Sequence, residues 1–283
     1  MDIQTPSHYK PTFQIKRWQI AAAIFAVLAL MGFWTISDPA RLSASGILTA
    51  GDYAGAAFCH RIVSRSFTIA GRPVGLCARC SGMYLGFFIY LALILLSGRE
   101  RWTSFAPVPI LLMMLGFVGI MGIDGINSYS HFFPNAPHVY TPNNTLRLFT
   151  GLGTGIAIGS FIVPAVAQTL WKDQIRQPAV GTFDETAGLI LITVLGGLLL
   201  LSEIPLTTYV LAILSILGLL FILTGINTIL MLLFTGRENT IRGWVHATPF
   251  IILGFIIACA EAGLLVYGRL ALIGTIHGIP GLG

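Results

Sequence analysis

Charged residues are scarce in this chain. Only 10% of the 283 residues are Asp, Glu, Lys or Arg, and 55% are hydrophobic, whereas a soluble domain carries roughly 25% charged residues. This scarcity excludes an ordinary soluble domain and indicates a multi-pass membrane protein. The net charge of +5 is therefore interpreted as loop charge that sets orientation, not as a surface for nucleic acid.

Several motifs that identify common enzymes are also missing. The sequence has no G-x-x-x-x-G-K-[ST] phosphate loop, no G-x-S-x-G nucleophile motif and no H-E-x-x-H zinc motif. It has a C-x-x-C pair, Cys77 and Cys80, but Ser81 follows it. Because a c-type haem requires histidine at that position, haem attachment is excluded. Whether the protein is an enzyme stays open on these motifs.

Seven hydrophobic stretches approach the roughly 20 residues that a membrane-spanning helix needs. They are Trp18–Ile36, Cys80–Ser97, Pro107–Ile126, Leu146–Leu170, Ala187–Leu201, Tyr209–Phe234 and Val245–Tyr267. The first is read as a retained anchor, because its apolar core is long for a secretion signal and no small-x-small cleavage site follows closely. The pattern predicts an all-α transmembrane bundle of about seven spans in the lipid bilayer of the cell's inner (plasma) membrane.

The distribution of Lys and Arg predicts an N-terminus inside and a C-terminus outside. The segments then placed inside carry Lys10, Lys16, Arg17, Arg99, Arg101, Lys172, Arg176, Arg237 and Arg242. One outer loop, residues 37–79, breaks the rule. It carries Arg41, Arg61, Arg65, Arg72 and Arg79. We expect these arginines to serve something local, such as an anion, a carboxylate or lipid headgroups.

Three parts of the chain follow from this topology. Residues 1–16 form a polar N-terminal tail, residues 17–170 form a four-helix core with the outer loop at 37–79, and residues 171–283 add three helices and a short tail. Glycines at helical spacing predict that the second, third and fourth spans pack closely. These glycines are Gly82, Gly86, Gly116, Gly119, Gly122, Gly125, Gly151, Gly155 and Gly159.

Polar side chains converge at the outer ends of the same three spans. Asp124 is an ionisable residue at membrane depth and therefore a functional candidate. We expect it to pair with Arg79 or Arg147. The predicted polar, anion-binding pocket is lined by Arg61, Arg65, Arg79, Asp124, Asn144 and Arg147.

Three of the four cysteines and one histidine belong to the outer loop and the start of the second span. The two thiolates of a C-x-x-C motif bind one ion, Cys59 supplies a third, and His60 completes a tetrahedral zinc site. Neighbouring residues of an extended chain point in opposite directions. Cys59 and His60 therefore share a metal only if the backbone turns between them. Otherwise the fourth ligand is a water or one of His131, His138, Asp124 and Cys259.

Two other interpretations of the cysteines stay open. Thiols at a helix N-terminus and close to Arg72 and Arg79 have a lowered pKa and are reactive. This favours a thiol–disulfide oxidoreductase that uses a quinone bound among the second to fourth spans. The other interpretation is a structural disulfide with one free thiol.

A set of residues in this region forms a recognisable pattern. In order, they are Cys59-His60-Arg61, Arg65-Ser66-Phe67, Gly71, Cys77-x-Arg79-Cys80, Gly82, Tyr84, Gly86, Asp124-Gly125, Asn144, Leu146-Arg147, Thr150-Gly151 and Gly155. The pattern resembles a bacterial and archaeal family of membrane proteins known as domain of unknown function twenty eighty-five, over roughly residues 50 to 160. Val63 and Ser81 stand where family members often have Pro and Thr. The resemblance implies that these positions are the family's signature, and it brings no activity with it.

The leading hypothesis is a membrane protein that binds a metal, most simply zinc, through Cys59, His60, Cys77 and Cys80 beside the polar pocket. The first alternative is the quinone-linked thiol–disulfide oxidoreductase. The second is a non-catalytic subunit of a respiratory or photosynthetic membrane complex, whose partners would be other membrane subunits.

Overall fold

The structure, a computed structural model, describes residues 38–133 and 136–278. In chain order its elements are α1 (Pro39–Ser43), α2 (Gly46–Phe58), β1 (Ser66–Ile69), β2 (Arg72–Cys77), α3 (Ala78–Leu96), β3 (Trp102–Ser104), α4 (Val108–Ser130), α5 (Asn144–Leu170), β4 (Ile175–Pro178), α6 (Phe183–Leu201), α7 (Pro205–Phe234) and α8 (Trp244–Ile273).

Within the described residues, six helices, α3 to α8, are long and apolar enough to cross a membrane. They correspond to the second through seventh predicted spans and confirm a helical, multi-pass membrane protein. The predicted span Trp18–Ile36 and the tail at residues 1–16 lie outside the described residues, so a seventh span remains a prediction. The shortest predicted span, Ala187–Leu201, begins earlier as α6, because the Thr182 side chain caps the helix by accepting from the Glu185 N–H group.

Glycines bring the backbones of α3 and α5 into contact. A Cβ atom on Gly155 would lie 2.7 Å from the backbone nitrogen of Phe87, and one on Gly82 would lie 3.0 Å from that of Leu152. The glycines of α4 behave differently. Nothing lies within 4 Å of a Cβ atom on Gly116, Gly119, Gly122 or Gly125. The predicted packing of α4 on α5 is confirmed, since Phe117 of α4 lies against Gly153 of α5. The prediction that the glycines of α4 make this contact is wrong, because they lie on a face with no neighbour among the described residues.

A small cap covers one end of the bundle, where the sequence predicted only a loop. It consists of α1, α2 and the antiparallel β1–β2 hairpin. Ser45 caps α2 by accepting from the Leu48 N–H group. Ala70 and Gly71, with φ of 49° and 79°, form the hairpin turn, since two positive φ angles suit the twist of a hairpin. We call this end, which also holds Cys59 and Cys77, the cysteine end.

A strand pair and a buried ion pair connect the elements at the opposite end of the bundle. Strands β3 and β4 pair in parallel there. The Arg99 guanidinium lies 2.8 Å from the Glu185 carboxylate, and both side chains are buried. This pair joins the end of α3 to the start of α6.

Candidate metal centre

Three cysteine thiols meet beneath the cap. The Sγ atoms of Cys59, Cys77 and Cys80 all lie within 4.8 Å of one another, and all three thiols are free. Cys59 and Cys77 are buried and Cys80 is half-buried. We call these three residues the thiol cluster.

Local structure accounts for this meeting. Cys59 follows α2 directly, Cys77 ends β2 and is the N-cap of α3, and Cys80 lies in the first turn of α3. Residues three apart on a helix share a face, so Cys80 returns to the side of Cys77. The Cys77 N–H group donates to Cys59 Sγ at 3.3 Å, which fixes Cys59 against the start of α3.

His60 does not join the thiol cluster. Cys59 has extended backbone, with φ of −127° and ψ of 143°, so the side chains of Cys59 and His60 point in opposite directions. The His60 Nδ1 atom accepts a hydrogen bond from the Ile62 N–H group at 3.2 Å. The structure therefore separates the expected fourth ligand from the three sulfur atoms.

The other candidates for a fourth ligand are also engaged or distant. The rings of His131 and His138 stack on each other with centroids 4.1 Å apart. Asp124 binds Arg79, and Cys259 is exposed on α8. Within residues 38–133 and 136–278, no histidine or carboxylate joins the three sulfur atoms.

The pKa values of the thiols shift in opposite directions. Hydrogen bonds from the Cys77 and Cys80 thiols hold the pKa of Cys59 well below its usual value, although burial opposes the shift. Donation to Cys59 raises the pKa of Cys77, so the lowered pKa expected for this thiol from its place at a helix N-terminus is not found. Cys59 is thus the first of the three to ionise. A bound metal cation would displace the remaining protons, because metals bind thiolates.

Two of the loop arginines serve the cap itself. The buried Asp52 carboxylate of α2 lies 2.6 Å from the Arg61 guanidinium and 2.5 Å from that of Arg72. The expectation that Arg61 lines the same pocket as Asp124 is not met. The chain turns back at Arg61, where φ is 53°, and its side chain reaches Asp52 instead.

The predicted pairing of Asp124 with an arginine is confirmed at Arg79. Arg79 Nε donates to Asp124 Oδ2 at 3.1 Å, its Nη2 also contacts that carboxylate, and Nη2 donates to Ser128 Oγ at 3.1 Å. The Tyr140 hydroxyl donates to Asp124 Oδ1 at 2.7 Å. Partial burial and this hydrogen bond raise the pKa of Tyr140 to about 12. The Asp124 side chain is buried, with 1% of its surface exposed, and both of its carboxylate oxygens accept hydrogen bonds.

Arg65 and Arg147 lie beside this ion pair. Arg65 Nη2 donates to the Ser128 carbonyl at 3.4 Å. Arg147 Nη1 donates to Asn144 Oδ1 at 2.9 Å, and Asn144 Nδ2 donates to the Ser64 carbonyl at 3.3 Å. Arg65, Arg79 and Arg147 are called the arginine cluster below.

Sequence reasoning missed Arg269, near the end of α8. Its guanidinium donates to the carbonyl oxygens of Ala56 at 3.0 Å, Cys59 at 2.6 Å and Gly278 at 2.6 Å. It thereby ties the last helix to the segment that carries Cys59. An arginine near the end of the last span gave no local signal for a contact more than 200 positions earlier. Asp52 was missed for a related reason, because α2 itself was not predicted.

Replacing Arg269 with Gln should loosen the Cys59 segment. Hydrogen bonds from a charged donor contribute about 1.5–3 kcal/mol each, so we expect Cys59 to react with a maleimide at least about tenfold faster. Mass spectrometry of timed alkylation reactions on purified protein measures this rate. Arg41→Gln removes an exposed arginine and should leave the rate unchanged. Equal rates in wild type and Arg269→Gln would contradict the role given to Arg269.

Comparisons with known proteins point to one family. A family model described as "Predicted membrane protein (DUF2085)" matches residues 59–161, a segment that includes the thiol cluster and the arginine cluster. An uncharacterized protein of Methanothermobacter thermautotrophicus is 31% identical over 100 residues, which cover 35% of this chain and 79% of the relative. An uncharacterized protein of Methanocaldococcus jannaschii is 25% identical over 114 residues, covering 40% and 67%. No solved structure matches the chain.

Proposed function

We propose that this chain, which belongs to the DUF2085 family of predicted membrane proteins, binds one zinc ion through Cys59, Cys77 and Cys80 at the non-cytoplasmic side of the plasma membrane. The side of the membrane follows from the distribution of Lys and Arg in the sequence. The metal joins the end of α2, the end of β2 and the start of α3. It thereby holds the cap over the arginine cluster.

The proximity of the three sulfur atoms carries this proposal. Zinc–sulfur bonds of about 2.3 Å in a tetrahedral site place the sulfur atoms roughly 3.8 Å from one another. The three Sγ atoms, all within 4.8 Å of one another, need only small side-chain adjustments to reach that spacing. Soft thiolate ligands also favour zinc over magnesium or calcium.

The donor set leaves one coordination position for a water or another small ligand. Three protein ligands with a free fourth position are typical of catalytic zinc sites, whereas structural sites have four protein ligands. A Zn²⁺ ion with three thiolates carries one net negative charge. The neighbouring arginine cluster would balance that charge.

Elemental analysis of the purified full-length protein tests the proposal. We expect about one zinc per chain in protein kept reduced, and less than about one tenth of that in Cys77→Ser or Cys59→Ser, because two thiolates hold zinc much more weakly than three. Cys259→Ser is the matched control, since Cys259 is exposed and does not belong to the thiol cluster, and this variant should keep its zinc. Metal-free wild type with reduced thiols, or full zinc content in Cys77→Ser, would refute the site.

The same samples distinguish the quinone-linked oxidoreductase, which remains the second candidate. Its supporting observation is that the Cys77 and Cys80 thiols are free and close together. It predicts a disulfide that forms when quinone is added to metal-free protein. The apolar cavity between α3, α5, α7 and α8, about 280 Å³ in volume, gives it little support. That cavity is lined on α3 by Phe87, Leu91, Ile94 and Leu95, which lie roughly 10 to 22 Å along the helix axis from Cys80.

A further inference from the structure

The arginine cluster carries more positive charge than its surroundings neutralise. Among the described residues, three guanidinium groups face one carboxylate, Asp124, and that carboxylate is already bound by Arg79 and Tyr140. The cap arginines differ, because Asp52 lies between Arg61 and Arg72 and binds both. Even with the single negative charge of a zinc centre nearby, the arginine cluster keeps an excess of positive charge. Partly buried charges without partners are costly.

Shared contacts and mutual charge interactions show that the three guanidinium groups lie close together. Ser128 accepts from both Arg65 and Arg79. Asn144 links Arg147 to the Ser64 carbonyl, next to Arg65. Arg147 also lies one helical turn before Gly151, whose backbone packs against the Arg79 carbonyl. The positive end of the α5 helix dipole adds to the positive electrostatic potential around the arginine cluster.

One nitrogen of the cluster lacks an acceptor. Arg147 is 7% exposed, and its Nε atom has no hydrogen-bond partner among the described residues. A buried donor without an acceptor costs about 1–3 kcal/mol. Burial and the charge of Arg79 also lower the pKa of Arg65, as expected for crowded cations. Asn144, which binds Arg147, is half-buried, so the cluster lies close to the protein surface.

We infer that the arginine cluster binds an oxyanion of the phosphate class at the cysteine end of the bundle. A tetrahedral phosphate offers several acceptor oxygens with the geometry that guanidinium groups bind in pairs of hydrogen bonds. Its charge matches the excess of the cluster. The same chemistry is offered by inorganic phosphate and by the headgroup of an acidic phospholipid, and the binding measurement has an arm for each.

Calorimetric titration of the full-length protein, purified in a maltoside detergent and freed of phospholipid, tests the inference. One arm uses inorganic phosphate and the other a short-chain phosphatidic acid. We expect saturable binding of one ligand per chain in at least one arm, weakened about tenfold or more in Arg147→Gln and Arg65→Gln. Arg41→Gln removes an exposed arginine of the same loop and should bind within about twofold of wild type. Arg65 is only half-buried, so its variant remains informative if Arg147→Gln does not fold.

The two arms and the metal content separate the outcomes. Binding of inorganic phosphate identifies a solute anion, and binding of the lipid alone identifies a headgroup. No saturable binding in either arm, or equal affinity in the Arg65, Arg147 and Arg41 variants, overturns the inference. Zinc content measured on the same preparations reports on the metal centre independently.

Discussion

Replacing Gly155 with alanine should lower the free energy of unfolding by about 3 kcal/mol, the upper part of the usual range for overpacking. The added methyl group would overlap the carbonyl oxygen of Met83 and lie 2.7 Å from the backbone nitrogen of Phe87. Backbone atoms inside a helix cannot rotate away as a side chain does. The helices α3 and α5 would have to separate, and close contact between small residues is what holds helices together in lipid.

The midpoint of unfolding in a titration of detergent-solubilised protein with dodecyl sulfate measures this loss. Gly119→Ala is the matched control, since Gly119 belongs to α4 and a Cβ atom there meets nothing within 4 Å. We expect the control to stay within about 0.5 kcal/mol of wild type. Similar midpoints for both variants would mean that α3 and α5 do not cross at these glycines.

Asp124→Asn should cost about 3–5 kcal/mol, because it removes one partner of a buried ion pair. Arg79 would lose the carboxylate that its Nε and Nη2 atoms bind. The arginine cluster would then hold three positive charges with no carboxylate of the described residues in contact. The amide oxygen of the variant side chain would still accept from the Tyr140 hydroxyl, so the loss would come mainly from charge.

The same unfolding titration measures the effect of Asp124→Asn. Glu203→Gln neutralises an exposed carboxylate at the end of α6 and should change stability by less than about 0.5 kcal/mol. Tyr140→Phe, which removes a single hydrogen bond to Asp124, should cost about 1 kcal/mol. An Asp124→Asn variant as stable as Glu203→Gln would show that the ion pair contributes nothing.

The membrane helices could be predicted because burial in lipid imposes a simple rule of length and apolarity. The Arg79–Asp124 pair followed from the same reasoning, since opposite charges at one depth of a bilayer have few other partners. Glycine spacing did not predict reliably which helix faces are in contact. The same pattern that packs α3 against α5 at Gly82 and Gly155 leaves the glycines of α4 without a neighbour among the described residues. Spacing defines a face of a helix, but the other helices decide what covers it.

Local sequence patterns did not predict the cap or its contacts. The hairpin turn at Ala70 and Gly71 carries only a short local signal, because a single glycine in a polar segment is equally typical of an irregular loop. The roles of Arg61 and Arg269 depend on where distant segments meet, which neither residue type nor spacing encodes. Separation of His60 from the thiols depended on whether the backbone turned after Cys59, and the structure has extended backbone there.

The bonds from Arg269 to the carbonyls of Ala56 and Cys59 have a consequence for biosynthesis. Chains are made from the N-terminus, so Cys59 leaves the ribosome long before Arg269 does. The segment around Cys59 receives its last hydrogen-bond donors only after the final helix has been inserted. Completion of the hydrogen bonding around Cys59 is therefore a late event in biosynthesis.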